Sequence, residues 1–318
     1  MKNSRATAIL LAFLFGFALV APTSLRQVRG GVSRAEQFPA VLTQFKSYEG
    51  NPVFTGAGPG HWDVKIRERG WILKEGETYY LWYTGYDGDR ESIKRLGLAT
   101  SKDGLHWTRY AENPLLKDVW VEDVMVLKRG DTYYMFAEGV HDEAHLLTSK
   151  DRIHWTPQGK LDVRKQDNTP IEEGPLGTPA VWFEDQTWYL FYERKDLGIW
   201  VATSKDTKVW RNVTDEPVMK LGPQEYDSVM IAFNQIVKYG GKYYASYHGS
   251  GSTSRPSLWT SDLAVSSDLI HWKKYVNNPL TGEAENKSSG IFVPEGKAFR
   301  FYTMHENVNV HLPVDEKK

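Results

Sequence analysis

The 318-residue chain contains no cysteine. Disulfides, thiolate metal sites and a lipid-modified cysteine after an export signal are therefore excluded. No run of Lys or Arg stands out, and the formal net charge is -1, so the electrostatic footprint of a protein that binds nucleic acid or an anionic membrane is missing. Helical periodicity is essentially absent after residue 30, so the sequence predicts a fold built from β-strands.

The N-terminus carries the one long apolar stretch of the chain. Lys2 and Arg5 precede the apolar residues 6–21 (ATAILLAFLFGFALVA), a pattern typical of a secretory signal. The stretch is shorter than the roughly 20 residues that a spanning helix needs, although an uncleaved anchor stays as the alternative. We expect a signal peptide at 1–21 with an open cleavage point, a linker at 22–34, a secreted or periplasmic location and no integral membrane domain. The oligomeric state stays open.

The rest of the chain repeats itself. Four segments, WILKEGETYYLWYTG, MVLKRGDTYYMFAEG, AVWFEDQTWYLFYER and QIVKYGGKYYASYHG, align on the aromatic markers Tyr79, Tyr133, Trp188 and Tyr243, which lie 54, 55 and 55 residues apart. A weaker fifth copy, EGKAFRFYTMHE, places Ala298 another 55 residues on. Each copy is typical of a β-hairpin with a short turn. A period of this length indicates a propeller or a similar repeat array.

A third strand of each repeat ends in a Ser/Thr-x-Asp-x-x-x-Trp element. SKDGLHW is one of the copies, and the four aspartates are Asp103, Asp151, Asp206 and Asp268. A catalytic group is normally needed once, whereas a turn-forming Asp and a packing Trp are needed in every repeat. The element therefore predicts structure rather than chemistry.

A fourth strand follows at NPLL, DEPVM and NNPL, and a further copy, EGNPVF, stands before the first complete repeat at 49–54. The last repeat has no such strand after it. We therefore predict an all-β fold, a five-bladed β-propeller of four-stranded antiparallel blades over residues 35–318, closed by the N-terminal strand joining the last blade.

Carboxylates that do not belong to the repeat stand just before or at the start of the inner strands. Counting 16 positions back from the markers gives Asp63, Glu172 and Asp227, and counting back 10 in the second repeat gives Asp123. Glu173 is the alternative to Glu172, because a slip of one residue reverses the facing of a strand. Two opposed carboxyl groups are what cleavage of a glycosidic bond requires. The alternative is that these acids cap turns and bridge blades.

Candidate ligand contacts accompany the acids. Trp62 and Tyr226 directly precede Asp63 and Asp227 and could form walls against a sugar ring. His248 and Arg255 border the Gly/Ser loop HGSGSTSR and could contact an anionic substituent. No loop has the sequence pattern of a dedicated metal site, so we expect no cofactor. A structural calcium ion on the axis is the alternative that stays open.

The blade sequence LGLATSKDGLHWTRYAENPLL, with YYLWYTG before it, resembles the five-bladed β-propeller glycoside hydrolases, the superfamily spanning families 32, 43, 62, 68, 117 and 130. The motif VED at 121–123 is similar to the acidic motif of family 130, which implies Asp123 as a proton donor. The motif EGP at 173–175 matches the glutamate motif of family 43, which implies Glu173 as general acid, Asp63 as base and Asp123 as the orienting group. This sequence departs from family 43, whose first Asp stands about where Arg69 is here.

The function expected from these observations is hydrolysis of a plant or algal oligosaccharide or polysaccharide, exo-acting and inverting, with Asp227 completing the ring of acids. Inversion predicts acid and base carboxyls roughly 6.5 to 9.5 Å apart. Two alternatives stay open. One is a glycoside phosphorylase, in which phosphate replaces water, and the other is a non-catalytic carbohydrate-binding propeller.

Overall fold

The computed structural model describes residues 38–253, 258–282, 285 and 287–314. The predicted signal peptide, the linker at 22–34 and Arg255 lie outside the described residues. Within the described ranges no helix is long and apolar enough to cross a membrane.

Five sheets make up the fold, and we number them as blades I to V in chain order, each with its inner strand at the axis. A short helix α1 (Ala40–Thr43) and strand β1 (Phe45–Ser47) precede them. Blade I contains β2 (Lys65–Glu75), β3 (Thr78–Tyr86), β4 (Arg95–Ser101) and β5 (Thr108–Arg109); blade II contains β6 (Glu122–Arg129), β7 (Thr132–Glu138), β8 (Ala144–Ser149) and β9 (Trp155–Lys160).

Blade III contains β10 (Asp162–Arg164), β11 (Gly177–Glu184), β12 (Thr187–Glu193), β13 (Gly198–Ser204), β14 (Val209–Asn212) and β15 (Met219–Lys220). Blade IV contains β16 (Met230–Tyr239), β17 (Lys242–Ser250), β18 (Thr260–Ser266) and β19 (Trp272–Lys274). Blade V contains β20 (Ile291–Glu295), β21 (Ala298–Met304) and β22 (Val308–Pro313). Two single 3₁₀ turns lie at Val140–Asp142 and Glu225–Asp227.

The predicted all-β, five-bladed propeller is confirmed, with two additions in blade III. There β10 runs parallel to β14, and β15 pairs with the far end of β13. In blade V the outermost strand is β1, which pairs antiparallel with β22.

The repeated turns form as the sequence predicts. In the second hairpin Gly130 takes a φ of 55°, and in the third copy, which lacks glycine, Asp185 and Gln186 take φ values of 49° and 57°. A turn with positive φ matches the right-handed twist of the two strands that it joins. The third copy therefore keeps the hairpin geometry without a glycine.

Tryptophans of the repeated element join neighbouring blades. Trp155 of blade II meets Trp82 of blade I edge to face, with ring centroids 6.0 Å apart. In the same way Trp210 packs on Phe136 and Trp272 packs on Phe191, each across a blade boundary. The predicted packing role of these rings is confirmed.

The aspartates of the same element cap its turn. Asp103 Oδ1 accepts the backbone N–H groups of Leu105 and His106, both at 2.8 Å. The corresponding bonds recur at Asp151, Asp206 and Asp268. The structural role predicted for them is confirmed.

Candidate active site at the propeller axis

Inner strands of four blades carry a β-bulge near the axis. The register shifts between Arg67 and Trp71, between Glu122 and Met125, between Gly177 and Ala180, and between Phe233 and Gln235. Glu68, Asp123 and Thr178 take positive φ within these bulges. A bulge re-aims side chains where a strand meets a site, so equivalent positions of different blades converge on one place.

Asp123 of blade II lies in this convergence and is only 6% exposed. Its Oδ1 atom lies 3.3 Å from the backbone N–H of Arg69, which donates to it. Burial raises the pKa of Asp123 well above its usual value, and the nearby negative charge of Glu68 raises it further, while Arg69 acts in the opposite direction. These surroundings therefore favour the protonated form of Asp123.

Glu68 of blade I has the opposite electrostatic setting. Burial alone would raise its pKa, but His305 and the Arg67 guanidinium outweigh burial, so the pKa of Glu68 lies below its usual value. Arg67 Nη2 donates to Glu68 Oε1, and His305 Nδ1 lies 3.7 Å from Glu68 Oε2. Glu68 is thus an ionised carboxylate close to Asp123, whose surroundings favour the protonated form.

Two further buried carboxyls belong to second strands, Glu138 in blade II and Glu193 in blade III. A Cβ atom placed on Gly177 would collide with Glu193 Oε1 and lie 2.8 Å from Glu138 Oε1, so the two carboxyls lie close together above a position that only glycine leaves open. Burial, followed by the charge of Asp123, raises the pKa of Glu138 well above its usual value. Burial, followed by the charge of Asp196, raises the pKa of Glu193 to about 8.

Blade IV contributes His248, which is the one predicted ligand contact that lies among these groups. Its Nδ1 atom is 2.8 Å from Asn234 Oδ1. Burial lowers the pKa of His248 to about 3, while the charge of Glu68 acts in the opposite direction. The imidazole is therefore neutral and can exchange hydrogen bonds with a sugar hydroxyl.

Arg69 is fully buried, and its guanidinium is hydrogen-bonded to backbone groups of the protein. Its guanidinium donates to backbone carbonyls of three other blades, at Asp123 and Val124, at Pro179, and at Phe233 and Asn234. It therefore ties blades II, III and IV to blade I at the axis.

Asp63 and Asp227, predicted to aim at the axis, lie instead in two equivalent settings within their own blades. Asp63 is buried and accepts hydrogen bonds from Tyr83 Oη (3.0 Å) and Arg109 Nε (2.8 Å). Asp227 is buried against Tyr247 Oη (3.1 Å) and Lys274 Nζ (2.6 Å). In both blades the cation comes from the outermost strand.

The aromatic residues that precede these acids in the sequence lie beside them in the same blades. The Trp62 ring stacks on the Tyr83 ring at 5.8 Å, and Tyr226 Oη lies 3.4 Å from Tyr247 Oη. Trp62 and Tyr226 thus contact the same second-strand tyrosines as the acids do.

Glu172 and Glu173 lie on the surface. The Glu172 side chain is 87% exposed and its Oε1 atom lies 4.0 Å from Lys165 Nζ. The Glu172 and Glu173 backbone carbonyls accept hydrogen bonds from Arg194, and both residues border an open cleft of about 530 Å³. The structure therefore does not bring them into the group around Asp123.

Of the predicted acids, the structure brings only Asp123 to the axis, while Glu68, Glu138 and Glu193 were missed. A sequence signal for two of the missed residues existed. Positions five residues after the aromatic marker fall at the axial end of each second strand, and they are Thr84, Glu138, Glu193, His248 and Thr303. This position varies in type between repeats, which marks it as functional rather than structural.

Glu68 was harder to find, because its inner strand carries the bulge one residue further from the marker than the strand of Asp123 does. Among the residues that the structure describes, no group of three or more His, Asp or Glu side chains is arranged to hold a metal ion.

No family model matches the chain. A curated relative, the 1,2-β-oligomannan phosphorylase of Thermoanaerobacter sp. (strain X514), is 27% identical over 228 residues, which cover 66% of this chain and 73% of the relative.

Solved structures share the fold. A glycosyl hydrolase from Bacteroides ovatus superposes with a TM-score of 0.68 and 14% identity, covering 86% of this chain and 94% of its own. The β-1,2-mannobiose phosphorylase from Listeria innocua gives a TM-score of 0.65 and 18% identity, covering 85% of this chain and 96% of its own. The chain thus has the five-bladed β-propeller fold that glycoside hydrolases and glycoside phosphorylases share.

Proposed function

We propose that the chain cleaves glycosidic bonds by hydrolysis, with Asp123 as general acid and Glu68 as general base. The observation that carries the proposal is the pair of neighbouring axial carboxyls whose pKa values are pushed apart, that of Asp123 upward and that of Glu68 downward. Glycosidic cleavage needs one carboxyl to protonate the leaving oxygen and another to remain ionised and activate water.

This assignment replaces the roles expected for Asp63 and Glu173. Asp63 is neutralised by Arg109 inside blade I, and Glu173 lies on the surface. We assign Asp63 and Asp227, together with Trp62 and Tyr226, to holding the second and outermost strands of their blades together. His248, Glu138 and Glu193 remain as candidate contacts to the sugar. The raised pKa values of the two carboxyls favour the protonated form, and a protonated carboxyl, like a neutral imidazole, can both donate and accept hydrogen bonds.

Water is favoured over phosphate as the acceptor by the charge of the axis. Arg69 is saturated by backbone carbonyls, and Arg67 is already engaged by Glu68 and Glu122. The cavity beside Glu68, lined also by Thr84 and His305, has a volume of about 10 Å³, which suits about one water molecule. We keep inversion as the expected stereochemical outcome.

A phosphorylase is the second candidate, and the named activities of two similar proteins favour it. Both the Thermoanaerobacter relative and the Listeria structure are phosphorylases of β-1,2-linked mannosides. The substrate classes to examine are therefore plant and algal oligosaccharides together with β-1,2-mannobiose and its longer homologues.

The test is a screen of aryl glycosides and these oligosaccharides, with and without inorganic phosphate, on the wild type and Asp123→Asn. We expect phosphate-independent release of free sugar and a loss of kcat on the order of 100-fold or more in Asp123→Asn. The matched control is Asp103→Asn, an exposed turn residue, which is expected to keep wild-type kcat.

Three other results would change the conclusion. A sugar 1-phosphate formed only when phosphate is present decides for the phosphorylase. Sugar binding without turnover in the whole screen decides for a binding propeller. Full activity in Asp123→Asn would remove Asp123 from the mechanism.

A further inference from the structure

A line of polar contacts leads from the surface loop at 87–93 to Glu68. Its members are Trp120, Glu122 and Arg67. Glu122 directly precedes Asp123 in the bulged strand β6 and is 6% exposed. The line therefore reaches both proposed catalytic carboxyls.

Glu122 stands between a donor and a cation. Trp120 Nε1 donates to Glu122 Oε2 at 2.7 Å, and Arg67 Nε lies 2.6 Å from Glu122 Oε1. Arg67 in turn donates through Nη2 to Glu68. One guanidinium thus faces two carboxylates from different blades, and its orientation toward Glu68 depends on where Glu122 is held.

Trp120 is itself fixed from the other side by Lys94. The Lys94 ammonium lies 4.6 Å from the Trp120 ring centroid and 4.8 Å from that of Tyr86, a cation–π geometry. The same ammonium donates to the carbonyls of Arg90 (2.6 Å) and Ser92 (2.5 Å). Lys94 therefore acts as a tethered cation that closes the loop and fixes the indole over it.

We propose that Trp120 and Glu122 are positioning residues that hold Arg67 against Glu68 and thereby fix the proposed general base. This inference rests on the proposed function. Free rotation of the Arg67 guanidinium would let Glu68 leave its productive orientation, and misplacements of about 1 Å can cost on the order of 100-fold in rate.

The test uses two variants that each remove one polar function. Trp120→Phe keeps the aromatic ring over Lys94 and removes the N–H, whereas Glu122→Gln keeps the shape of Glu122 and removes its charge. We expect kcat to fall by roughly 10-fold to 100-fold in each, with little change in KM and in Tm. Trp200→Phe is the matched control, since the Trp200 indole donates to the Asp215 carbonyl at 3.0 Å in blade III, and it should keep wild-type kcat.

The pH profile separates the two variants. The charged and titratable groups that face Glu122 are Arg67 and Glu68 on β2, Lys94 before β4, Asp123 beside it and Glu138 across the β6–β7 pair. Glu122 is one of the negative charges that raise the pKa of Asp123, after burial and Glu68. In Glu122→Gln the alkaline limb of kcat/KM should therefore move to lower pH, whereas Trp120→Phe should leave it in place.

The pKa of Asp123 can also be measured without turnover, by NMR titration of carbon-13-labelled Asp carboxyls. We expect a lower pKa of Asp123 in Glu122→Gln than in the wild type. Wild-type kcat in both folded variants would overturn the positioning role, and an unmoved Asp123 titration in Glu122→Gln would overturn the effect of the Glu122 charge on Asp123. If the positioning role fails but Asp123→Asn loses activity, the proposed function still stands. Full activity in Asp123→Asn would contradict the proposed function itself.

Discussion

Identical carboxyl side chains acquire different chemistry in this chain because their surroundings differ. Asp103 lies in an exposed turn where its bonds to His106 and to backbone N–H groups hold its pKa below the usual value against burial. Asp123 is buried beside Glu68, and its pKa is raised. A shift in pKa reflects a change in the free-energy difference between the two protonation states. Burial next to a negative charge therefore stabilises the protonated form of Asp123, which is the form that a general acid needs.

Glu193 offers a direct measurement of this effect through stability. Its pKa rises from 4.5 to about 8 on folding, so the folded state keeps a proton that the unfolded state releases above about pH 4.5. Wild-type stability attributable to Glu193 is therefore present at acidic pH and is lost as pH rises toward 8. Glu193→Gln, which mimics the protonated form, should gain stability over the wild type progressively between pH 5 and 8, measured by urea unfolding.

Glu173→Gln is the matched control, because Glu173 is an exposed acid. Its unfolding over the same pH range gives the reference for removing one negative charge from the surface. A pH-independent difference between Glu193→Gln and the wild type would contradict the raised pKa of Glu193.

In the Ser/Thr-x-Asp-x-x-x-Trp unit, the Asp caps its own turn in every copy. The Trp packs on the preceding blade in three of the four copies. Trp155 is buried against Trp82 of blade I, whereas Trp107 is only partly buried and meets Tyr79 of its own blade at 6.5 Å. The same sequence position thus carries different packing in different blades.

Trp155→Ala should accordingly cost about 3 to 5 kcal/mol of unfolding free energy. Trp107→Ala should cost clearly less, because less of its ring is removed from water and no blade boundary is opened. Both values can be obtained from denaturant unfolding at one pH. Equal losses in the two variants would refute the difference in packing between them.

The whole molecule is held together at the axis and at the boundaries between blades. Tyr133 Oη donates to Glu75 at the end of the preceding inner strand, and Lys128 Nζ lies 2.7 Å from the same carboxylate. The Tyr79 hydroxyl and Lys74 make the corresponding contacts to Glu295, which joins blade I to blade V. At the axis, Arg69 connects blade I to three others.

Arg69→Met should therefore destabilise the fold by at least about 3 kcal/mol, because several buried carbonyls lose their donor at once. Arg69→Lys, with a single ammonium, should lie between this variant and the wild type. Arg164→Met is the control, since Arg164 forms an ion pair with Asp162 at the surface, where solvent screens the interaction. If urea unfolding gives Arg69→Met and Arg164→Met the same stability, the axial arginine does not hold the blades together.

The blade can be predicted from the sequence, because a strand, a hairpin turn and an Asp-capped turn are local patterns that repeat with a period near 55 residues. The same patterns predict the number of blades, the structural nature of Asp103 and its copies, and the axial placement of Asp123. These features depend on residues close in the chain or on the register of the repeat.

Which acids meet at the axis depends on how the blades are assembled. Asp63 and Asp227 stand at equivalent places in blades I and IV, but the distant Arg109 and Lys274 neutralise them within their blades. Glu68, Glu138 and Glu193 come from different blades and are separated by tens of residues, so their convergence appears only when the ring closes. Burial and neighbouring negative charges raise the pKa values of Glu138 and Glu193, whereas His305 and Arg67 lower that of Glu68. These effects are properties of the assembled propeller rather than of any segment.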